Sequence, residues 1–243
     1  MFFLKKIFYI ILDKMGIQKR RLALPIFRYN VYSQDGDDGI IEFVIGKMVN
    51  TPCFVVDIGA NDGITNSNSR LLIEKYHFKA LLVEPFEEVF KNLKILYSNC
   101  PEIILSNHAV GEKSLSKEGG GYINWHGHFD RVLFDIVDVN SLFEKYGIPK
   151  DIGFLSIDTD GRDNVILQKI DWKKYSPWFV IAEIDSSSHR NLQEQIAIMD
   201  IAGYFPVCHI GNVFYCRKDL SGEFLFNWRS NLRGEYGFFL KEK

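Results

Sequence analysis

From residue 53 onward, short apolar runs alternate with amphipathic stretches that have helical spacing. Short apolar runs rich in β-branched residues are typical of buried strands, and amphipathic stretches of period 3.6 are typical of helices that cover them. Strands joined through helices form right-handed crossovers and a parallel sheet with helices on both faces. The predicted strands are 53–58, 79–84, 102–107, 153–158 and 178–185, and the predicted helices between them are 68–76, 87–97, 163–170 and 191–203.

The C-terminal end of this pattern differs from its beginning. Residues 204–210 and 212–218 have strand composition, and only Gly211 separates them, so the two strands must be antiparallel. A mostly parallel seven-stranded sheet with an antiparallel C-terminal hairpin is the Rossmann-like fold of methyltransferases. The sheet of a dinucleotide dehydrogenase is all parallel. We therefore predict an α/β fold of the methyltransferase type.

The alternation is interrupted at about residues 117–138, which are rich in glycine and histidine and predict a loop or an inserted ribbon. Residues 131–139 have strand composition. A short helix is predicted at 140–148, with Asn140 or Asp138 as its N-cap.

The chain of 243 residues is long enough for one large domain, which we place at 32–243 behind an N-terminal extension, 1–31. A net charge of -2 argues against a nucleic-acid partner. Four cysteines without a C-x-x-C pair support neither a zinc motif nor a redox motif. They are expected to be reduced thiols of a cytoplasmic protein.

The N-terminal residues 1–21 carry an apolar run, Ile7 to Leu12, between lysines and arginines. This run is too short to span a bilayer, and no small-residue cleavage site of a signal peptide follows it. It predicts an amphipathic helix that either docks on the domain or rests as a peripheral anchor on the inner face of the membrane.

The stretch FVVDIGANDG, residues 54–63, contains the most informative loop of the chain. It follows the first strand, at the edge where ligands bind in open α/β sheets. Its spacing is not the G-x-G-x-x-G of a pyrophosphate loop, and the acids around it favour a cationic ligand such as S-adenosylmethionine. Glu84 lies 21 residues after Gly63, at the tip of the second strand, where an acid would hold the ribose hydroxyls. A plain strand-to-helix turn and a helix-capping acid are the alternatives.

Several stretches together resemble the FkbM-type S-adenosylmethionine-dependent methyltransferases, over about residues 32–220. They are YSQDGDDGIIEFV (32–44), FVVDIGANDGITNSNS (54–69), LLVEP (81–85), SNHAVGE (106–112), FLSIDTDGRD (154–163) and HIGNVFYCRKDL (209–220). The resemblance implies methylation of hydroxyl groups, often on sugars of surface polysaccharides or on glycosylated and polyketide natural products.

The resemblance also implies cofactor-binding residues. They are Asp57, Gly59, Ala60, Asn61 and Gly63 in the loop, Glu84 at the ribose, and Asn107 to Ala109 beside the adenine.

The upstream segment has two interpretations. Gln34 and Asp38 close over cofactor or substrate, or Asp37 and Asp38 only cap a helix that starts near Ile40. Asp37 departs from the glutamate that is more frequent in the family.

Candidate catalytic acids follow strands four and five: Asp158, Asp160 and Asp163, then Glu183 and Asp185. A hydroxyl acceptor needs a general base or a metal that acidifies it. One hypothesis places Mg²⁺ or Mn²⁺ on Asp158, Asp160 and Glu183. Another raises the pKa of one carboxyl so that it serves as the base. A third lets Asp160 and Asp163 form only a turn and a helix cap.

The predicted insert contributes further candidates. His126 and His128 either meet the acceptor, one of them as the base, or are surface histidines. Trp125, Tyr122 and Phe129 either form an apolar wall for the acceptor or anchor the loop.

We therefore expect an O-methyltransferase that acts on a hydroxyl of a sugar or sugar nucleotide in surface polysaccharide biosynthesis. The alternatives are an N- or O-methyltransferase of a non-sugar small molecule, and a non-catalytic binding protein of the same fold. A homo-oligomer is compatible with the sequence.

Overall fold

The computed structural model describes residues 27–46, 50–111, 120–125, 128–133, 135–184 and 189–220, without the side chains of 120–133 and 189. The α-helices are α1 (Asp37–Ile45), α2 (Arg70–Tyr76), α3 (Glu87–Leu96), α4 (Val139–Lys145), α5 (Asp163–Lys169) and α6 (His189–Ile201). The strands are β1 (Phe54–Ile58), β2 (Lys79–Val83), β3 (Ile103–Ser106), β4 (Ala109–Val110), β5 (Gly120–Trp125), β6 (His128–Leu133), β7 (Ile136–Val137), β8 (Phe154–Ile157), β9 (Phe179–Ala182), β10 (Tyr204–His209) and β11 (Val213–Arg217).

Seven of these strands form the central sheet, in the order β10-β11-β9-β8-β1-β2-β3. Neighbouring strands are parallel except β11, which is antiparallel to both β9 and β10. The predicted fold class is therefore confirmed. The chain order reverses between β1 and β8, so the carboxyl ends of these two strands border the crevice where such sheets bind ligands.

Alternating residues of the strands feed two hydrophobic clusters, one on each face of the sheet. In β1, Val55 belongs to one cluster, whereas Val56 and Ile58 belong to the other. Helices α1, α2 and α3 cover the first face, and α4, α5 and α6 cover the second. The short apolar runs of the sequence have this composition because both of their faces are buried.

The interruption of the alternation is an inserted ribbon. Strands β5 and β6 pair as an antiparallel hairpin, and β4 pairs in parallel with β7. The single strand expected at 131–139 is wrong, because its residues are divided between β6 and β7. The N-cap of α4 is Asp138, whose Oδ1 accepts the N–H groups of Asn140 and Ser141 at 3.1 and 3.0 Å.

The predicted N-terminal helix at residues 1–21 lies outside the described residues. Among the helices that are described, none has both the length and the apolar character needed to cross a membrane.

Candidate active site

Asp57 lies buried near the carboxyl end of β1. Its Oδ2 accepts a hydrogen bond from Ser69 Oγ at 2.6 Å, and the Ser156 hydroxyl of β8 forms a second one. Burial raises the pKa of Asp57 to about 6, against the opposing effect of these hydroxyls. The carboxyl is therefore fixed between two strands and the start of α2.

Backbone conformation and packing within the protein require glycine at two positions of the loop after β1. Gly59 has φ of 94°, and a Cβ there would lie 1.7 Å from the Asp158 carbonyl oxygen. Gly63 has φ of 72°, and a Cβ there would lie 2.7 Å from Leu93 Cδ1. The missing Cβ atoms at these two positions make room for the Asp158 carbonyl oxygen after β8 and for the Leu93 side chain of α3.

Glu84 ties the second strand tip to the same loop. Its Oε2 accepts the N–H of Asn61 at 3.0 Å, and its Oε1 accepts the N–H of Phe86 at 2.8 Å. Burial raises the pKa of Glu84 to about 7. Each carboxylate oxygen has a second lone pair, so the group can still accept from a ribose diol.

The loop after β1 extends to helix α2, which begins at Arg70, two residues after the predicted start at 68. Asp62 closes a turn, in which its Oδ1 accepts the N–H groups of Ile64 and Thr65 at 2.8 and 2.7 Å.

The predicted adenine segment is held against the tip of β2. Asn107 Nδ2 donates to the carbonyl oxygens of Glu84 and Pro85 at 2.9 and 3.1 Å. Ala109 lies in β4, beside Ile136 of β7. The side chain of Asn107 therefore shapes the backbone around Glu84, and a cofactor contact by this segment stays a prediction.

Acids at the tips of β8 and β9 meet as the sequence predicted. The carboxyl groups of Asp158 and Glu183 share a hydrogen bond, and burial, together with the charge of Asp163, holds the pKa of Asp158 well above its usual range. Asp163 begins α5 and accepts a hydrogen bond from Thr159 Oγ1 at 3.1 Å. Burial and the charge of Glu183 raise the pKa of Asp163 to about 7.

The divalent cation expected on Asp158, Asp160 and Glu183 is not supported by this arrangement. Asp160 is exposed, with φ of 51°. Within the described part of the chain, no group of three His, Cys, Asp or Glu side chains is placed to hold a metal ion. Asp185 lies outside that part.

Two buried polar residues support Glu183, and no sequence signal marked them. Gln195 of α6 is fully buried, and its Nε2 donates to the Glu183 carbonyl oxygen at 2.9 Å. Tyr215 of β11 donates its hydroxyl to Gln195 Oε1 at 2.8 Å.

The upstream segment lies at the same edge of the sheet. Asp38 is fully buried, and its Oδ2 accepts the N–H groups of residues 31–33. Asp37 Oδ2 accepts a hydrogen bond from Asn212 at 3.3 Å. The N-cap of α1 is Gly36, without a side-chain cap, so the helix-capping interpretation of these two acids is wrong.

Gln34 is half-buried, and its carbonyl oxygen accepts the N–H of Asp37 at 3.2 Å. His126 lies outside the described residues, and His128 begins β6 without a described side chain. Their proposed roles stay predictions, as does the aromatic wall of the insert.

A family model described as "Methyltransferase FkbM domain" matches residues 57–206. This range begins at the buried acid of β1 and ends within β10. A search of curated proteins found no match.

Solved structures with similar architecture include fibrillarin from Aeropyrum pernix in complex with natively bound S-adenosyl-L-methionine. It is 12% identical, with 71% of each chain covered and a TM-score of 0.42. A methyltransferase from Geobacter sulfurreducens is 11% identical over 85% of this chain and 84% of its own, with a TM-score of 0.45. At these low identities and TM-scores, the structural similarity carries no argument about function beyond the family match.

Proposed function

The chain belongs to the FkbM methyltransferase family and is an S-adenosylmethionine-dependent methyltransferase, and we propose that its acceptor is a hydroxyl group of a sugar or sugar nucleotide. The destination of the product would be a surface polysaccharide. The choice of a sugar rests on the resemblance of the sequence motifs to this family.

The observation that carries the proposal is the pair Asp158–Glu183. A sugar hydroxyl is a weak nucleophile at neutral pH, and a base whose pKa lies near the working pH removes its proton most effectively. Burial and neighbouring acids raise the pKa of Asp158 towards that range. Transfer would form a bond between the acceptor oxygen and the methyl carbon, break the bond from that carbon to sulfur, and leave the hydroxyl proton on the carboxylate pair.

The cofactor would lie over the loop after β1. Glu84 would accept hydrogen bonds from the ribose hydroxyls with the oxygen that also accepts the N–H of Asn61. Asp57 would hold the base of the loop through Ser69 without touching the cofactor. The cofactor brings a sulfonium and an ammonium to a region of buried acids. Its positive charge would favour the ionised forms of carboxyl groups that burial otherwise keeps protonated.

The test is a screen of nucleotide sugars and glycan fragments with isotopically labelled S-adenosylmethionine, read by mass. We expect one methyl group on a sugar hydroxyl. We also expect Asp158→Asn to lower kcat about a hundredfold or more, with little change in cofactor affinity, because general-base catalysis contributes about that factor.

Gln168→Glu is a suitable control, because Gln168 is exposed on α5 and the substitution adds an acid away from the pair. In a second experiment, we expect the wild type to keep its activity after exhaustive EDTA treatment, because the proposed base is a carboxylate and not a metal-bound group. Methylation of an amine instead of a hydroxyl would contradict the proposed acceptor, and full activity of Asp158→Asn would contradict the proposed base.

A further inference from the structure

Residues 31–37, which we call the strap, connect two parts of the carboxyl edge of the sheet. The Tyr32 carbonyl oxygen accepts the N–H of Ser67 at 3.1 Å, in the loop that follows β1. At the other end, Asp37 is bonded to Asn212 in the turn between β10 and β11. In the sheet order, β8 and β9 lie between these two attachments. The two attachments of the strap therefore lie on either side of the strand tips that carry Asp158 and Glu183.

Asp38 gives the strap its shape. Its Oδ2 accepts three N–H groups, from Val31 and Tyr32 at 2.7 Å each and from Ser33 at 2.9 Å. The hydroxyl of Ser33 in turn accepts the N–H of Asp38 at 2.9 Å. Hydrogen bonds from backbone N–H groups to a buried carboxylate are among the stronger ones in proteins. This oxygen is consequently committed to the backbone and is not a natural cofactor ligand.

A continuous set of hydrogen bonds leads from the strap to the buried acid of β1. Beyond the bond from Ser67 to Tyr32, Ser67 Oγ accepts the N–H of Arg70 at 3.1 Å and lies 3.4 Å from Ser69 Oγ. Ser69 Oγ donates to Asp57 Oδ2 at 2.6 Å. The segment that positions Asp57 is thus also the segment that the strap contacts.

A second contact links the same two segments independently of these bonds. The Arg70 guanidinium lies over the Tyr32 ring, 4.7 Å from its centroid. Cation–π contacts of this length are attractive, and they prefer one orientation of the ring and the guanidinium. Two separate contacts therefore hold the strap, one with Ser67 in the loop before α2 and one with Arg70, the first residue of α2.

We infer that Asp38 is a positioning residue for the cofactor site. It holds the strap in the one conformation that keeps Ser67 and Ser69 in place beneath the loop after β1. This role rests on the cofactor assignment made above, and it reaches the cofactor only through the segment 66–70. Loss of Asp38 should therefore weaken cofactor binding in a protein that is still folded.

The test measures the Kd of S-adenosylhomocysteine by isothermal titration calorimetry on the full chain, at a temperature where every variant is folded. We expect Asp38→Ala to raise Kd about tenfold. A change of this size corresponds to the net contribution of one hydrogen bond to a charged group. Asp38→Asn keeps one acceptor oxygen and should restore Kd to within about threefold of the wild type.

Asp171→Ala is the matched control. Asp171 Oδ1 also accepts two backbone N–H groups, from Lys173 and Lys174 at 3.1 and 3.2 Å, but in an exposed turn before β9 at the opposite edge of the sheet. We expect its Kd to equal that of the wild type. A general loss of stability alone would leave the Kd of folded Asp38→Ala equally unchanged.

A double-mutant cycle with Ser69→Ala tests the route. If Asp38 acts through Ser69, the double variant should lose less affinity than the product of the two single losses. If Asp38→Ala does not fold, Ser33→Ala takes its place in the cycle, because it removes the hydroxyl that accepts the N–H of Asp38.

Each result has a defined meaning. An unchanged Kd in folded Asp38→Ala, or in Ser33→Ala where that variant replaces it, overturns the role of Asp38 while the cofactor assignment stands. Fully independent losses in the cycle have the same meaning. A wild-type protein that does not bind S-adenosylhomocysteine overturns the cofactor assignment and this inference with it.

Discussion

Glu84 should make the stability of the cofactor-free protein depend on pH. Burial raises the pKa of this carboxyl from 4.5 to about 7. The unfolded chain therefore releases the proton at a lower pH than the folded protein does. A raised folded-state pKa contributes stability that is present below the unfolded pKa and is lost as the pH rises through the folded pKa.

The size of the effect follows from the shift. One pKa unit corresponds to about 1.4 kcal/mol, so the ionised carboxylate destabilises the fold by about 3 kcal/mol once the pH exceeds about 7. Glu84 is only 5% exposed, so solvent screening does not reduce this figure greatly. Glu84→Gln removes the titrating carboxyl group. Glutamine has only one acceptor oxygen, so the N–H of either Asn61 or Phe86 also loses its hydrogen bond.

The assay is urea unfolding of the wild type and Glu84→Gln without cofactor, at about pH 5 and about pH 8. Relative to the wild type, the variant should gain about 2–3 kcal/mol in free energy of unfolding between the two conditions. Glu88→Gln on the exposed face of α3 is the control and should show no such gain. A difference between wild type and Glu84→Gln that is the same at both pH values would refute the reasoning.

The other predictions concern packing around the site. Gly59→Ala should destabilise the protein by more than about 4 kcal/mol or prevent folding, because its Cβ would meet the Asp158 carbonyl oxygen. Gly161→Ala, at nearly the same φ but with open space around it, should cost only about 1–2 kcal/mol in the same urea unfolding experiment. Similar losses for the two variants would contradict this explanation. Tyr215→Phe should lower the free energy of unfolding by about 1–2 kcal/mol, because Gln195 Oε1 loses its buried donor. An unchanged value would show that this hydrogen bond adds no net stability.

Most of the fold could be predicted from local patterns in the chain. A strand such as Phe54–Ile58 is buried on both faces and must be apolar throughout, whereas a helix such as Glu87–Leu96 needs only one apolar face. These periodicities are visible within a few residues. The short connection at Gly211 similarly specified an antiparallel hairpin.

Part of the candidate site could be predicted for the same reason. Asp57 and Glu84 are acids at the ends of apolar strands, and such positions converge on one edge of a parallel sheet. The acids after β8 and β9 follow the same rule, so their proximity was expected as well.

The sequence alone therefore determined the order of strands and helices, the family and the acids at the strand tips, because each of these is encoded in local spacing. Only the tertiary structure decided which partners those acids have. The hydrogen bond between Asp158 and Glu183, the three N–H groups on Asp38 and the support of Glu183 by Gln195 join residues far apart in the chain. Such contacts depend on strand order and on the packing of helices against the sheet, and neither leaves a periodic signal in the residues involved.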